Sequence, residues 1–115
     1  MKDDRFYLLH VRDAIEDVLT YASPGREAFF ADRLRQDAVI RKVEVIGEAV
    51  KGISEATRVR CPDIPWRRIA GMRDKMIHEY FGVNLELVWA VVERDLPALK
   101  RAVDALLNPP SGTQA

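Results

Sequence analysis

The sequence predicts an all-α fold, a four-helix bundle with short extra helical segments. Apolar residues recur every three or four positions over four long stretches, which is typical of helices with one buried face. No stretch has the strict alternation of apolar and polar residues that a half-buried strand shows. At 115 residues, the chain is long enough for one domain with a single core. We assign the helical domain to residues 1–107 and a flexible C-terminal tail to residues 108–115.

The first long helix is predicted at Asp3–Ala22, and the Ser-Pro-Gly sequence at residues 23–25 ends it. Its buried stripe consists of Leu8, Val11, Ile15, Val18 and Ala22. His10 lies off this stripe, and we interpret it as a solvated surface residue and not as a catalytic one. A short helical piece follows at Arg26–Ala31, and its two phenylalanines are predicted to close one end of the bundle.

The second long helix is predicted at Asp32–Ile53. Its buried seam consists of Val39, Val43, Ile46, Val50 and Ile53. Gly47 widens this seam and has no side chain, so another helix can approach closely there. Glu44 and Glu48 lie on the far side, either as solvated glutamates or as acids that pair with an arginine of a partner. Beyond the helix, Ser54 can cap a short helical turn.

The third long helix is predicted at Pro65–Phe81, with Gly82 as the residue that ends it. Asn84 then caps a fourth helix at Leu85–Leu107. The inward residues of the fourth helix are Val88, Val92, Leu96, Leu99, Val103 and Leu106. Pro97 should kink this helix or remove one hydrogen bond without ending it, because the apolar period continues beyond.

Composition excludes several classes of protein. With 48% hydrophobic and 31% charged residues, the chain is not of the disordered type. Its 18 basic and 18 acidic residues give no global positive field, so any contact with RNA or DNA requires a local patch. The single cysteine, Cys61, excludes an intrachain disulfide and a multi-cysteine metal site, and we interpret it as an idle thiol.

The N-terminal sequence and the lengths of the apolar runs bear on the cellular location. The N-terminus is charged and leads into an amphipathic helix, which is not the pattern of an apolar signal sequence. No apolar run approaches the about 20 residues that a membrane span needs. We therefore expect a cytoplasmic protein without a membrane partner.

The third helix carries a cation in the middle of its apolar face. At about 100° per residue, the residues within about 80° of Arg73 are Trp66, Ile69, Ala70, Met76, Ile77, Tyr80 and Phe81. A guanidinium is costly there unless it is paired or has a function. Asp74 and His78, four residues apart, lie together at the edge of this face, and Arg67 projects in the same direction. The opposite, solvated side consists of Arg68, Lys75 and Glu79.

These side chains could cleave RNA without a metal ion. His78 can act as general acid or base, and Asp74 can orient its imidazole. The guanidinium of Arg73 suits phosphate oxygens and can stabilise the charge of the transition state. No second histidine or cysteine stands at metal-ligand spacing from His78, so no metal or other cofactor is expected. The structural alternative is a buried Arg–carboxylate pair, a histidine that caps a helix end, and a core tyrosine at Tyr80.

Helix geometry further predicts a homodimer. Arg73 and His78 are separated by about 140° around one helix and by about 7.5 Å along it. One copy therefore converges poorly on a single phosphate. Two copies about a two-fold axis would bring two arginines and two histidines into one cleft.

A resemblance to a known family gives these residues more specific roles. The segment Arg73–Phe81, RDKMIHEYF, followed by Gly82–Trp89, resembles the signature region of HEPN-domain proteins of the HepT type. These are helical toxins that are paired with a minimal nucleotidyltransferase antitoxin. Further matching segments are Ile64–Met72, Ile46–Ala49 and Asp95–Leu99, and the resemblance reaches from the first helix to Leu107.

The resemblance implies an all-α HEPN fold, a homodimer and a metal-independent endoribonuclease, the toxin of a type VII-like toxin–antitoxin pair. Arg73 and His78 take the positions of the family's catalytic residues. Tyr80 matches the tyrosine to which the cognate antitoxin transfers AMP. Many HEPN ribonucleases have asparagine after the arginine where this chain has Asp74, which adds negative charge near an RNA phosphate.

Two functions are therefore open at the level of the sequence. The first is a ribonuclease toxin that cuts RNA at Arg73 and His78 and is neutralised through Tyr80. The second is a non-catalytic helical subunit that binds the nucleotidyltransferase and presents Tyr80 as its substrate, with Arg73 on a nucleotide phosphate. The intact Arg73–His78 pair favours the first, whereas the zero net charge and the short chain favour the second.

Overall fold

A computed structural model describes residues 3–72, 74–75 and 84–108. All regular secondary structure in these ranges is helical, which confirms the all-α prediction. In chain order the elements are α1 (Asp4–Ala22), α2 (Arg26–Ala31), α3 (Arg33–Lys51), α4 (Glu55–Arg58), α5 (Trp66–Ala70), α6 (Leu85–Ala90), a π-helical segment (Val91–Asp95) and α7 (Leu96–Leu107). In the described ranges, no helix is long and apolar enough to cross a membrane.

Four of the helices begin at a polar cap. In each case the cap side chain accepts the backbone N–H three residues further on, which satisfies a donor that the first helical turn leaves free. The caps of α1, α3, α4 and α6 are Asp3, Asp32, Ser54 and Asn84. The predicted caps at Ser54 and Asn84 are thus confirmed. Such a cap contributes about 1 kcal/mol to stability.

The core lies between α1, α3 and the fourth helical stretch. Helix α1 packs most extensively on α3 and also contacts α7, while α5 packs on α3 as well. The predicted stripes of the first and second helices are buried throughout, from Leu8 to Ala22 and from Val39 to Ile53. In α7, Leu107 is buried and Leu106 only partly, a shift of one residue from the prediction. Leu107 follows the buried Val103 by four residues, so it continues the same face.

Gly47 brings α5 against α3. A Cβ atom at this position would lie 3.2 Å from the carbonyl oxygen of Ile69 and 3.7 Å from that of Ala70. The first distance is tighter than most Cβ contacts, so a side chain at position 47 would require α5 to move away by a few tenths of an ångström. The predicted close approach of another helix is confirmed, and that helix is the one that leads into the Arg73 segment.

The third helix differs from the prediction of one uninterrupted helix from Pro65. Pro65 is the residue before α5, and α5 ends at Ala70 with Gly71 in a turn. The backbone N–H of Gly71 still donates to Arg67 O, and that of Lys75 donates to Gly71 O, so the helical hydrogen bonding passes across the turn. Glycine has a low helix propensity, which accounts for a distortion at this point. The predicted end at Phe81 and Gly82 lies outside the described residues, as do residues 109–115 of the predicted tail.

The fourth helical stretch is continuous from Leu85 to Leu107, as predicted, and contains a π-helical segment immediately before Pro97. Proline has no N–H to donate, and its ring clashes with the carbonyl four residues before it in a regular α-helix. A wider π turn just upstream relieves this conflict without ending the helix. The prediction that Pro97 disturbs the helix but does not stop it is confirmed.

Candidate functional site

Among the predicted site residues, Arg73, His78 and Tyr80 lie outside the described residues, and Asp74 lies within them. Asp74 is helical and exposed, in agreement with its predicted place at the edge of the apolar face. The structure therefore describes the parts of the chain that flank the Arg73–His78 motif: α5, the Gly71 turn and the start of the fourth helical stretch.

The buried face of this segment agrees with the prediction for its first turns. Trp66 and Ile69 are 7% and 0% exposed, whereas Arg68 and Lys75 are on the solvated side. Met72, which the prediction did not place on the apolar face, is also buried. The burial of Trp66, Ile69 and Met72 holds the residues that lead up to position 73 in the bundle.

Hydrogen bonds from buried Trp66 hold the connector between α4 and α5. Its indole N–H donates to the carbonyl oxygens of Arg58 and Cys61, at 3.1 and 2.9 Å. The guanidinium of Arg58 in turn donates to Val50 O at 2.8 Å, near the end of α3. Cys61 is a half-buried free cysteine, and its interpretation as an idle thiol stays a prediction. These bonds set the position at which α5 starts.

An ion pair joins α5 to the π-helical segment. Arg68 Nη2 lies 2.7 Å from Asp95 Oδ1, and the Asp95 side chain is only 18% exposed. Next to this pair, a cavity of about 230 Å³ separates the two elements. Its lining consists of Arg68, Met72, Lys75, Leu87, Ala90, Val91, Arg94 and Asp95. The segment that leads into the motif is thus tied to the fourth helical stretch as well as to α3.

A groove on the other side of α5 concentrates positive charge. It has a volume of about 650 Å³ and is lined by Glu55, Arg58, Val59, Pro62, Pro65, Trp66, Arg67 and Arg68. We call it the arginine groove, since its lining includes three arginines and one acidic residue, Glu55. It is a local basic patch of the kind that a chain with zero net charge needs in order to contact RNA. The helical spacing predicted on which side of the helix Arg67 lies. It did not predict that Arg58 lines the same groove, because the position of Arg58 depends on how α4 packs near α5.

A second groove, of about 670 Å³, lies between α1 and α3. Its lining consists of Phe6, Tyr7, His10, Arg41, Glu44, Val45, Glu48, Ala49, Lys51 and Gly52. His10 is exposed, as predicted, and its ring lies 4.5 Å from that of Phe6. Glu44 is half-buried, and the exposed Glu48 pairs with Lys51 at 3.2 Å. Both glutamates face this mixed surface.

Within the described residues, no three histidine, cysteine, aspartate or glutamate side chains come together in a way that could hold a metal ion.

Comparison with known proteins gives the family. The profile of the ribonuclease HepT-like family matches residues 11–106. Putative RNase TTE0752 of Caldanaerobacter subterraneus subsp. tengcongensis is 39% identical over 109 residues, which cover 94% of this chain and 97% of that protein. Probable ribonuclease HepT of Thermococcus cleftensis is 43% identical over 101 residues, which cover 87% of this chain and 92% of that protein. No solved structure gives a significant match.

A further relative is a longer protein. Gamma-glutamylcyclotransferase and putative RNase MJ0434 of Methanocaldococcus jannaschii is 44% identical over 103 residues, which are 89% of this chain but 46% of that protein. The chain therefore spans about half of MJ0434. The ribonuclease names of these relatives support a ribonuclease activity. Since the family profile covers most of the sequence and full-length relatives are well above 30% identical, the chain belongs to the ribonuclease HepT-like family.

Proposed function

We propose that this protein is the toxin of a type VII-like toxin–antitoxin pair and cuts RNA internally without a metal ion. The observation that carries the proposal is the Arg73-x4-His78-x-Tyr80 motif in a chain of the ribonuclease HepT-like family. Arg73 and His78 are the residues to which we assign catalysis. The buried residues just before position 73, Ile69 and Met72, support the assignment, because catalytic side chains need a rigid backbone to hold them in place.

The proposed reaction uses the ribose of the substrate as the nucleophile. His78 takes the proton of the 2′-OH while that oxygen attacks phosphorus, and Arg73 stabilises the charge that develops on the phosphoryl oxygens. The O2′–P bond forms and the P–O5′ bond breaks. The leaving oxygen receives a proton from the His78 of a second copy. The products are a 2′,3′-cyclic phosphate and a 5′-hydroxyl end, and the reaction is confined to RNA.

The use of two copies follows from helix geometry. An angle of about 140° and a rise of about 7.5 Å keep Arg73 and His78 of one helix from meeting at one phosphate. A homodimer in which the two motif helices face each other removes this difficulty. Asp74 is helical and exposed and precedes His78 by four residues, so if the helix continues to His78 this carboxylate can orient the imidazole.

Control of this activity is assigned to Tyr80. We propose that a cognate minimal nucleotidyltransferase transfers AMP to its hydroxyl. The modification adds a phosphate charge and a nucleotide beside Arg73 and His78, so RNA is excluded by charge and by bulk. We place the reaction in the cytoplasm, where RNA and the antitoxin are both present.

A second candidate function is a non-catalytic subunit that binds the nucleotidyltransferase and serves as its substrate at Tyr80. The formal net charge of zero favours it, because nucleic-acid enzymes often carry a basic field. In this case Arg73 contacts a nucleotide phosphate and His78 has no chemical role.

Cleavage of a mixed RNA pool in EDTA separates the two candidates. The unmodified wild type is expected to cut, whereas Arg73→Ala and His78→Ala should each be slower by at least about a hundredfold. Circular dichroism checks that the variants fold, and intact mass checks that Tyr80 carries no AMP. Absence of cleavage by the AMP-free wild type would favour the binding subunit, and equal cleavage by all three proteins would reveal a contaminant or another site.

A further inference from the structure

The arginine groove is a second functional surface beside the Arg73–His78 motif. We infer that it binds single-stranded RNA on one flank of the cleavage point and so positions the substrate. The inference rests on the proposed ribonuclease function, since it names how the same substrate is held. It concerns Arg67 above all, and Arg58 and Arg68 line the same groove.

Charge is the first observation that supports RNA as the occupant. The groove has three arginines and one acid, Glu55, in a chain whose 18 basic residues are balanced by 18 acidic ones. The side chain of Arg67 is exposed and makes no hydrogen bond or ion pair within the described part of the chain. Its planar guanidinium is therefore available for bidentate contact with a phosphate. Arg68 forms an ion pair with Asp95, and Arg58 donates one N–H to Val50 O. Both arginines should therefore attract an RNA phosphate more weakly than Arg67 does.

Apolar surface in the groove is the second observation. Val59 is 58% exposed, an unusual exposure for valine, and Pro62 and Pro65 lie beside it. Unpaired bases offer apolar faces that can pack on such a strip and on guanidinium planes. The bases of a duplex are stacked in its interior, so they could not pack on this apolar strip. Phosphate-binding arginines next to an apolar strip therefore match a single strand better than a duplex.

Position relative to the motif is the third observation. Helical hydrogen bonding continues from Arg67 across Gly71 to Lys75. Asp74 lies seven residues after Arg67, about 10 Å along a helix, and His78 lies eleven residues after it, about 16 Å by helical spacing. Eleven residues are close to three full turns, so the sequence places His78 on the same side of the helix as Arg67. A strand cut at His78 would thus reach Arg67 with nucleotides a few positions away from the scissile phosphate.

Binding of RNA can be measured separately from cleavage. The probe is a fluorescein-labelled, unstructured 20-nucleotide RNA, and the protein is the full chain with His78→Ala, which keeps the probe intact. Fluorescence polarisation at several salt concentrations gives Kd and its salt dependence. Arg67→Glu in this background is compared with Arg101→Glu, which reverses the charge of an exposed arginine on α7 away from the groove.

We expect Arg67→Glu to raise Kd on the order of fivefold to tenfold. The salt dependence of Kd should become weaker by the equivalent of about one phosphate contact. Arg101→Glu should have nearly the same Kd as the His78→Ala parent. An equal Kd for the parent and Arg67→Glu would overturn the inference and leave the groove to another occupant, such as an acidic protein segment. Equal weakening by both substitutions would also overturn it, since only net charge would matter. If the wild type cuts RNA while Arg67→Glu binds RNA normally, the proposed ribonuclease function is supported and the RNA-binding role of the groove is refuted. If Arg67→Glu weakens RNA binding but the wild type does not cut RNA, the RNA-binding role of the groove is supported and the ribonuclease function is refuted.

Discussion

Trp66 and Trp89 are buried to nearly the same extent but differ in the hydrogen bonding of their indole N–H groups. Trp66 is 7% exposed and donates to two carbonyl oxygens in the connector before α5. Trp89 is 8% exposed and lies 5.2 Å from the ring of Phe29, and its N–H has no acceptor in the described part of the chain. A buried N–H without an acceptor keeps its desolvation cost, which a hydrogen bond would offset.

Replacing each tryptophan by phenylalanine tests this difference. Trp66→Phe should lower the free energy of unfolding by about 1–2 kcal/mol more than Trp89→Phe, because it leaves two carbonyl oxygens without their donor. Trp89→Phe is the matched control, with the same loss of ring volume but no lost hydrogen bond. Urea denaturation of both variants gives the comparison. Equal losses would show that the Trp66 hydrogen bonds add nothing to stability.

At the scale of elements, the start of α1 is tied to the start of α4 by one carboxylate. Asp4 accepts the backbone N–H of Ser54 at 2.8 Å and its hydroxyl at 2.6 Å, and it also accepts the hydroxyl of Thr57. The hydrogen bond from the Ser54 hydroxyl, then those from Thr57 and the Ser54 N–H, lower the pKa of Asp4. Since α4 contributes Arg58 to the arginine groove, this link also helps to place the groove.

The lowered pKa has a defined consequence for stability. The folded state favours the charged carboxylate, so the stabilisation is complete above the unfolded-state pKa of about 3.9 and is lost as the pH falls through the folded-state pKa. Asp4→Asn should therefore lose less stability than the wild type between about pH 5 and pH 2. Urea midpoints across this range measure the effect, and Asp37→Asn, at an exposed aspartate of α3, is the control. An acid-induced loss as steep in Asp4→Asn as in the wild type would refute the link.

The apolar period was enough to predict the first, second and fourth long helices and most of their buried residues, because burial of one face depends mainly on spacing. The turn at Gly71 and the π-helical segment before Pro97 could not be placed in this way. A single glycine or proline is compatible with several local distortions, and packing against neighbouring helices selects among them. Gly47 is an intermediate case: the close approach was predictable, but Ile69 as the neighbour was not.

At the scale of the whole molecule, balanced charge conceals an uneven surface. The sequence predicts that RNA contact requires a local patch, and the structure has such a patch in the arginine groove. Its members come from α4, α5 and their connector, so their convergence depends on tertiary structure and not on spacing alone. Arg73 and His78 were assigned from the motif and the family, and their placement in a dimer cleft remains our proposal.

The most direct test of the central claim is the chemistry of the cut ends. A defined RNA oligonucleotide is incubated in EDTA with AMP-free wild type and with His78→Ala, and the fragments are weighed by mass spectrometry. Attack by the 2′-OH predicts 2′,3′-cyclic phosphate and 5′-hydroxyl ends from the wild type, and fragments reduced by at least about a hundredfold with His78→Ala. Fragments with 5′-phosphate ends, or the same cyclic ends in equal yield from His78→Ala, would contradict the account.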